Sequence, residues 1–319
     1  MKKSLLALAV LGSFAGVAAA QSSVTLYGTL DVGLSRQTGL NWTAFGVNGS
    51  SFHTPSRFGL KGSEDIGGGN AVIFDLQTSG FGMGDGKQKD GTFAFGREAY
   101  VGLSSAALGK VKAGLDSSVA TQSFAGINLN DISSSDAMDA VGVEPVTWYG
   151  SSRRKGYVSY TSNNIAGLDV GLGYTLKKTA ELLGDTKAYT QARVNYAIGG
   201  LSFAFAAETA HTAANRTAYA LGAKYDAPMF AVNGGIDRSE SEAKGKGLFV
   251  GGMGKFGAAA VGAQIASNRG DSSKAKAYEL FANYALSKRS KLYADYVDSK
   301  VDATGVSTKK LGLGITHNF

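Results

Sequence analysis

Apolar and polar residues alternate with a period of two over much of this chain. Near the start, Val24, Leu26, Leu30, Val32 and Leu34 share one parity with Gly28, and Thr25, Tyr27, Thr29, Asp31 and Gly33 share the other. At the end, Leu311, Leu313, Ile315, His317 and Phe319 alternate with Lys310, Gly312, Gly314, Thr316 and Asn318. Leu168 to Leu176, Tyr219 to Asp226 and Leu280 to Leu286 repeat the pattern. A strand sends successive side chains to opposite faces, so each segment predicts a strand with one apolar and one polar or small face. Chain ends are usually polar and frayed. A patterned strand that runs to a terminal aromatic residue needs a partner, and the first strand supplies one if the sheet closes on itself.

Connectors of two kinds separate the strands. Seven short turn signals occur at 63–69, 104–109, 163–167, 197–200, 226–229, 253–257 and 287–290. Eight longer polar segments cover 36–53, 80–92, 116–150, 177–189, 209–216, 238–247, 268–274 and 298–309. Short turns on one side and long loops on the other describe an antiparallel β-barrel that spans a membrane. With both termini on the short-turn side, eight loops and seven turns give sixteen strands. One misread turn would give fourteen or eighteen. A soluble sandwich alternates in the same way, but it does not need sixteen strands of even length in one domain.

Composition agrees. Mean hydropathy is −0.04, as expected when half of each strand faces lipid and half faces water. No stretch approaches the ~18 apolar residues of a spanning helix. Lys2 and Lys3, the apolar run 5–17 and Ala18-Ala19-Ala20 read as a secretory signal peptide over residues 1–20. Residues 21–319 then form one barrel domain. There are no cysteines, so disulfides and thiolate metal sites are excluded. The 3 prolines suit complete backbone ladders and the 45 glycines suit turns and close packing. The pI of about 9.3 comes from dispersed charge without a binding motif, which argues against nucleic acid.

The chain resembles the general porins of beta-proteobacteria, which are trimeric sixteen-stranded outer-membrane channels. The resemblance is carried by residues 22–28 (SSVTLYG), 56–65 (SRFGLKGSED) with Gly67-Gly68-Gly69, 97–103 (REAYVGL) and the terminal Phe319. It implies a homotrimer in the outer membrane that passes ions and small hydrophilic solutes, without a cofactor. It also implies that the third long loop, 116–150, folds into the lumen as a constriction. Phe319 would be read by the barrel-assembly machinery. Apart from the resemblance, electrostatics alone leads us to expect that remaining basic residues near strand ends meet anionic lipopolysaccharide. Two positions depart from the family: Gln77 stands where a carboxylate is expected nearby, and Asn318 precedes the final Phe where a basic residue is common.

Candidate pore residues follow. With Phe58 and Leu60 facing lipid, Arg57 and Lys61 face the lumen. With Val158 and Tyr160 facing lipid, Arg153, Lys155 and Tyr157 face the lumen, with Arg154 nearby. Arg97 shares parity with Ala99, Val101 and Leu103. It needs a bulge to enter the lumen, or else it snorkels to the interface. Asp131, Asp136 and Asp139 on the long loop are candidates for the acidic side of the constriction, or are solvated loop carboxylates. Five basic positions (Arg57, Lys61, Arg97, Arg153, Arg154) against a thinned acidic wall predict weak to moderate anion selectivity. A substrate-specific channel and a loop-based adhesin are the alternatives. An enzyme is disfavoured, because His53, His211 and His317 come with no nucleophile-base signature.

Overall fold

The computed structural model describes residues 22–44, 52–88, 92–130, 152–177, 187–211, 216–240, 245–270, 274–302 and 305–319. The predicted signal segment, residues 1–20, and Asp131, Asp136 and Asp139 lie outside them. The elements in chain order are β1 (Ser23–Gln37), β2 (Thr43–Ala44), β3 (Arg57–Gly67), β4 (Asn70–Gln77), β5 (Glu98–Ser105), β6 (Gly109–Ser117), α1 (Val119–Phe124), β7 (Arg153–Thr161), β8 (Leu168–Thr175) and β9 (Ala188–Ile198). They continue as β10 (Leu201–His211), β11 (Arg216–Asp226), β12 (Phe230–Ser239), β13 (Gly245–Phe256), β14 (Ala259–Arg269), β15 (Lys274–Ala285), β16 (Ser290–Val301) and β17 (Ser307–Asn318). Setting aside the two-residue β2, these are the sixteen predicted strands.

Each strand pairs antiparallel with its sequence neighbours. The ring closes where β1 meets β17, from Thr29 opposite Asn318 to Gln37 opposite Lys310. Gly28 and Phe319 exchange both backbone hydrogen bonds at 3.1 Å, so the last residue is held by the first strand. Closure leaves no unpaired edge along the ladder, which is the condition for crossing hydrocarbon with strands.

The faces are inverted relative to a soluble protein. Leu26, Leu172, Ile265 and Leu280 are each more than half exposed on the outside. Asp31, Gln191, Glu208, Gln264, Glu279 and Asp295 are buried inside. An apolar exterior around a polar interior is stable only in lipid.

The seven predicted turns all join consecutive strands. At four predicted loops the flanking strands run into both ends of the segment. Pairing continues to Ala210 opposite Arg216, Ser239 opposite Gly245, Arg269 opposite Lys274 and Lys300 opposite Ser307. These strands run on beyond the apolar belt, where both faces meet polar surroundings. Polarity there marks the edge of the membrane and not the end of the ladder.

Candidate functional site

The segment after β6 turns into the barrel. Ser118 caps α1, its Oγ accepting from the Thr121 amide at 3.1 Å, and the Val119 amide donates to Tyr157 Oη at 3.1 Å. A helix of 6 residues has little stability of its own, so burial must hold it. Phe124 and Ile127 are both almost fully buried, among Ala204, Ala206, Ala218, Ala220 and Phe249 of the inner wall. The small inner-wall residues make room for them. A Cβ at Gly222 would stand 2.9 Å from Phe124 Cε1 and 3.1 Å from Ile127 Cγ2, so a side chain there would push the segment off the wall.

Beyond the helix the chain follows the wall. Asn233 Nδ2 donates to the Ile127 carbonyl at 3.0 Å. Leu129 packs with Ala231 and Phe281. Asn130 Nδ2 donates to both Glu279 Oε1 and Asp295 Oδ1 at 2.9 Å, and its Oδ1 accepts from Asn283 at 3.2 Å. Residues 118–130 thus cross the inner faces from β8 to β16.

A second inward segment covers the neighbouring strands. Phe52 packs on Tyr293, and the His53 ring stacks on Tyr293 with centroids 4.5 Å apart. Tyr293 Oη donates to Asp31 Oδ1 at 2.7 Å. Asp31 Oδ2 also accepts from the His53 and Thr54 amides. Among the described residues, the inward segments line β8 to β16 and then β16, β17 and β1, and leave the inner face of β3 to β7 uncovered.

That side carries the arginines. Arg57 Nη1 donates to Thr54 Oγ1 and to the Pro55 carbonyl, both at 2.8 Å. Arg97 Nε donates to Gln77 Oε1 at 2.9 Å. Arg153 Nη1 donates to Ser152 Oγ at 3.1 Å. The charge of Arg153 acts on both Arg57 and Arg97, and the charge of Arg57 also acts on Arg97, so the three form one cluster. Glu98 is the acid beside it, 3.9 Å from Arg153 Nε, and it accepts from the Ser117 amide and hydroxyl.

Two parity expectations are corrected. Arg97 needs no bulge: it lies one residue before β5, its amide still donating to the Gln77 carbonyl at 3.2 Å, and its side chain turns to the Gln77 amide. On β7, the pairing slips between Gly114 and Asp116 of β6, and Gly156 takes φ 58. The slip turns Arg154 inward with Tyr157 and leaves Lys155 exposed. Arg154 is buried and paired with both oxygens of Glu208 at 2.7 and 2.9 Å, over the Tyr189 ring. Its charge is compensated and does not face open water. Lys61 is exposed, 4.7 Å over the Tyr27 ring.

Gln77 explains its own departure from the family pattern. Its Oε1 accepts from Arg97, and its Nε2 donates to Tyr27 Oη at 2.8 Å. Tyr27 Oη donates to Asp75 Oδ1 at 2.6 Å. The amide orients Arg97 without neutralising it, which a carboxylate at the same distance would do. Gln77→Glu is therefore expected to lower any anion preference while leaving the barrel intact, as read from the reversal potential in a salt gradient.

Sequence reasoning missed the seats of the inward segments, Glu279, Asp295 and Asp31. Their inward parity was visible, but not that loop residues would dock on them. Among the described residues, no group of three or more His, Asp or Glu side chains is arranged to hold a metal ion.

A family model described as Gram-negative porin matches residues 7–304. An outer membrane porin protein 32 of Delftia acidovorans is 30% identical over 92% of this chain and 88% of its own length. An outer membrane porin protein of Bordetella pertussis is 33% identical over 55% of this chain, a match spanning about half (48%) of that relative. Among solved structures, an anion-selective porin from Comamonas acidovorans superposes with a TM-score of 0.77 at 23% identity, covering 94% of this chain and 100% of that one.

Proposed function

This chain belongs to the Gram-negative porin family, as an outer-membrane channel and not an enzyme, and we propose that its channel is a passive diffusion path with weak to moderate anion selectivity. The observation that carries the selectivity is the cluster of Arg57, Arg97 and Arg153 on the wall that the described parts of the inward segments do not cover. A narrow aqueous path focuses the field of such a cluster, so anions are concentrated and cations held off. Glu98 beside Arg153 tempers the effect, as do Asp131, Asp136 and Asp139 if they face the same path. The fold is shared with a protein described as an anion-selective porin.

We also propose a homotrimer. Phe58, Phe81, Phe93 and Phe95 form one aromatic cluster beside β3, with Phe93 largely exposed. A concentrated aromatic patch suits protein contact better than lipid contact. Phe319, at the end of the strand that closes the ring, is the residue through which the barrel-assembly machinery would engage the chain. Small hydrophilic solutes and ions are the cargo.

The test is conductance of the purified protein in a planar bilayer under a tenfold potassium chloride gradient. An anion-directed reversal potential, well short of the ideal ~59 mV for a tenfold monovalent gradient, in channels that close in groups of three, is the expected result. A cation-directed potential would overturn the charge assignment.

A further inference from the structure

Arg57 sits among like charges, since the charge of Arg153 acts on both Arg57 and Arg97. An arginine that stays in such a cluster must be held there against repulsion. Two neutral acceptors hold it: Nη1 donates to Thr54 Oγ1 and to the Pro55 carbonyl, both at 2.8 Å. Neither acceptor cancels the charge. Arg57 also borders a cavity of about 490 Å³ that Lys288, Lys291 and Asn318 line with it, so the charge is presented to water. Thr54 and Pro55 lie outside the strands, so the ladder does not fix them and something else must.

Asp31 fixes them. It is fully buried on the inner face of β1. Its Oδ2 accepts from the Thr54 amide at 2.8 Å and from the His53 amide at 3.2 Å. The Asp31 amide donates to Ser56 Oγ at 2.9 Å, and that hydroxyl donates back to the Asp31 carbonyl at 3.2 Å. His53, Thr54 and Ser56, all within the four residues that precede Arg57, are thus tied to one aspartate. Tyr293 Oη, donating to Oδ1 at 2.7 Å, holds the carboxylate itself, and the His53 ring stacks on Tyr293. Phe52 lies over Gly312, where any side chain would collide with it. Among the described residues, Asp31 and Arg57 share no hydrogen bond or ion pair, so any effect of Asp31 on the arginine passes through residues 53–56.

We propose that Asp31 is a positioning residue for ion selectivity, aiming Arg57 at the ion path by tying down residues 53–56, a role that rests on the arginine reading of the channel. The sign of its effect sets it apart. By charge alone, removing an acid from the lumen would raise the anion preference. Through position the removal does the reverse. Without their acceptor, the His53 and Thr54 amides are left as buried donors without a partner, and such groups turn to water. Residues 53–56 then leave the seat, Thr54 Oγ1 and the Pro55 carbonyl go with them, and repulsion from Arg153 carries Arg57 off the path. Losing a negative charge lowers the preference for anions.

The experiment reads the reversal potential in a potassium chloride gradient for Asp31→Ala, Asp31→Asn, Arg57→Gln, and Asp31→Ala combined with Arg57→Gln, each as a folded, heat-modifiable barrel. Arg57→Gln should lower the anion-to-cation permeability ratio roughly threefold, the weight of one charge about 6 Å from the ion in a water-like dielectric. Asp31→Ala displaces that charge without deleting it, so the ratio should fall by about twofold. Asp31→Asn keeps an oxygen for both backbone amides and should not lower the ratio. In the Arg57→Gln background, Asp31→Ala should have no further effect, because the two residues act through one chain of contacts and their effects do not add. Thr54→Val with Ser56→Ala cuts that chain from the loop side, leaves β1 unchanged and should match Asp31→Ala, which keeps the test open if the alanine variant does not fold. An unchanged or raised ratio in Asp31→Ala would overturn the proposal. So would an equal fall in Asp31→Asn, or a further fall in the Arg57→Gln background, which would point to a wider lumen and not to the aim of Arg57. An unchanged ratio in Arg57→Gln alone would overturn the arginine reading and this role with it, whereas a fall there with none in Asp31→Ala would overturn this role alone.

Discussion

Replacing Arg57, Arg97 and Arg153 together by glutamine is expected to abolish the anion preference, the largest change in selectivity that a few substitutions should produce. One unit charge about 6 Å from a permeating ion in a water-like dielectric contributes about 0.7 kcal/mol. Three in one cluster approach ~2 kcal/mol before the nearby acids subtract from it. That is enough to shift the anion-to-cation permeability ratio several-fold in dilute salt. The effect should fade near 1 M salt, where the screening length falls to ~3 Å. Glutamine keeps most of the side-chain bulk, so the size of the opening changes little and charge is the variable tested. Arg154→Gln is the control. Arg154 already forms a buried pair with Glu208, so its loss should leave the reversal potential alone. It should still cost stability on the scale of 3–5 kcal/mol, roughly the penalty of stranding a buried carboxylate. If the triple variant keeps the reversal potential of the parent, selectivity resides elsewhere and the arginine reading fails.

The contrast between these arginines shows where the sequence was legible. Parity is simplest at Arg57 and Lys61, because the pairing of β3 keeps one register over that stretch and shifts only between Asp65 and Gly67. It failed at Arg154 because one irregular step near Gly156 exchanges the faces, and a single glycine among 45 gives no warning of a bulge. It was awkward at Arg97 because the count assumed a strand that in fact starts one residue later. Turns were legible because tight reversals need particular residues. Upper loop ends were not, because strands that rise past the membrane lose their apolar stripe while keeping every backbone bond. The tuck of Phe52 and His53 into the barrel left no periodic trace either. Two residues are too few for a pattern, and their partners, Tyr293 and Asp31, lie far away in sequence.

The same distinction between ladder and loop leads to the second large effect. Phe124→Ala with Ile127→Ala should raise single-channel conductance while leaving a folded, heat-modifiable barrel. The ladder that closes the ring draws nothing from residues 119–130, whereas the inward course of those residues depends on burial against the alanine-lined wall. Removing a buried Phe costs roughly 3–5 kcal/mol and a buried Ile roughly 2–5 kcal/mol. Either is large beside what a helix of 6 residues and the polar contacts of Asn130 retain. Once released, the segment no longer narrows the lumen. Conductance rises and the ion preference falls toward that of a wide water-filled tube, since a field that is not confined is screened by salt. Gly222→Leu reaches the same end from the other side by occupying the space that Phe124 needs, so both variants should agree. Unchanged conductance in both would mean that the segment is held by contacts other than its apolar face, and that the aromatic anchor is incidental to the constriction.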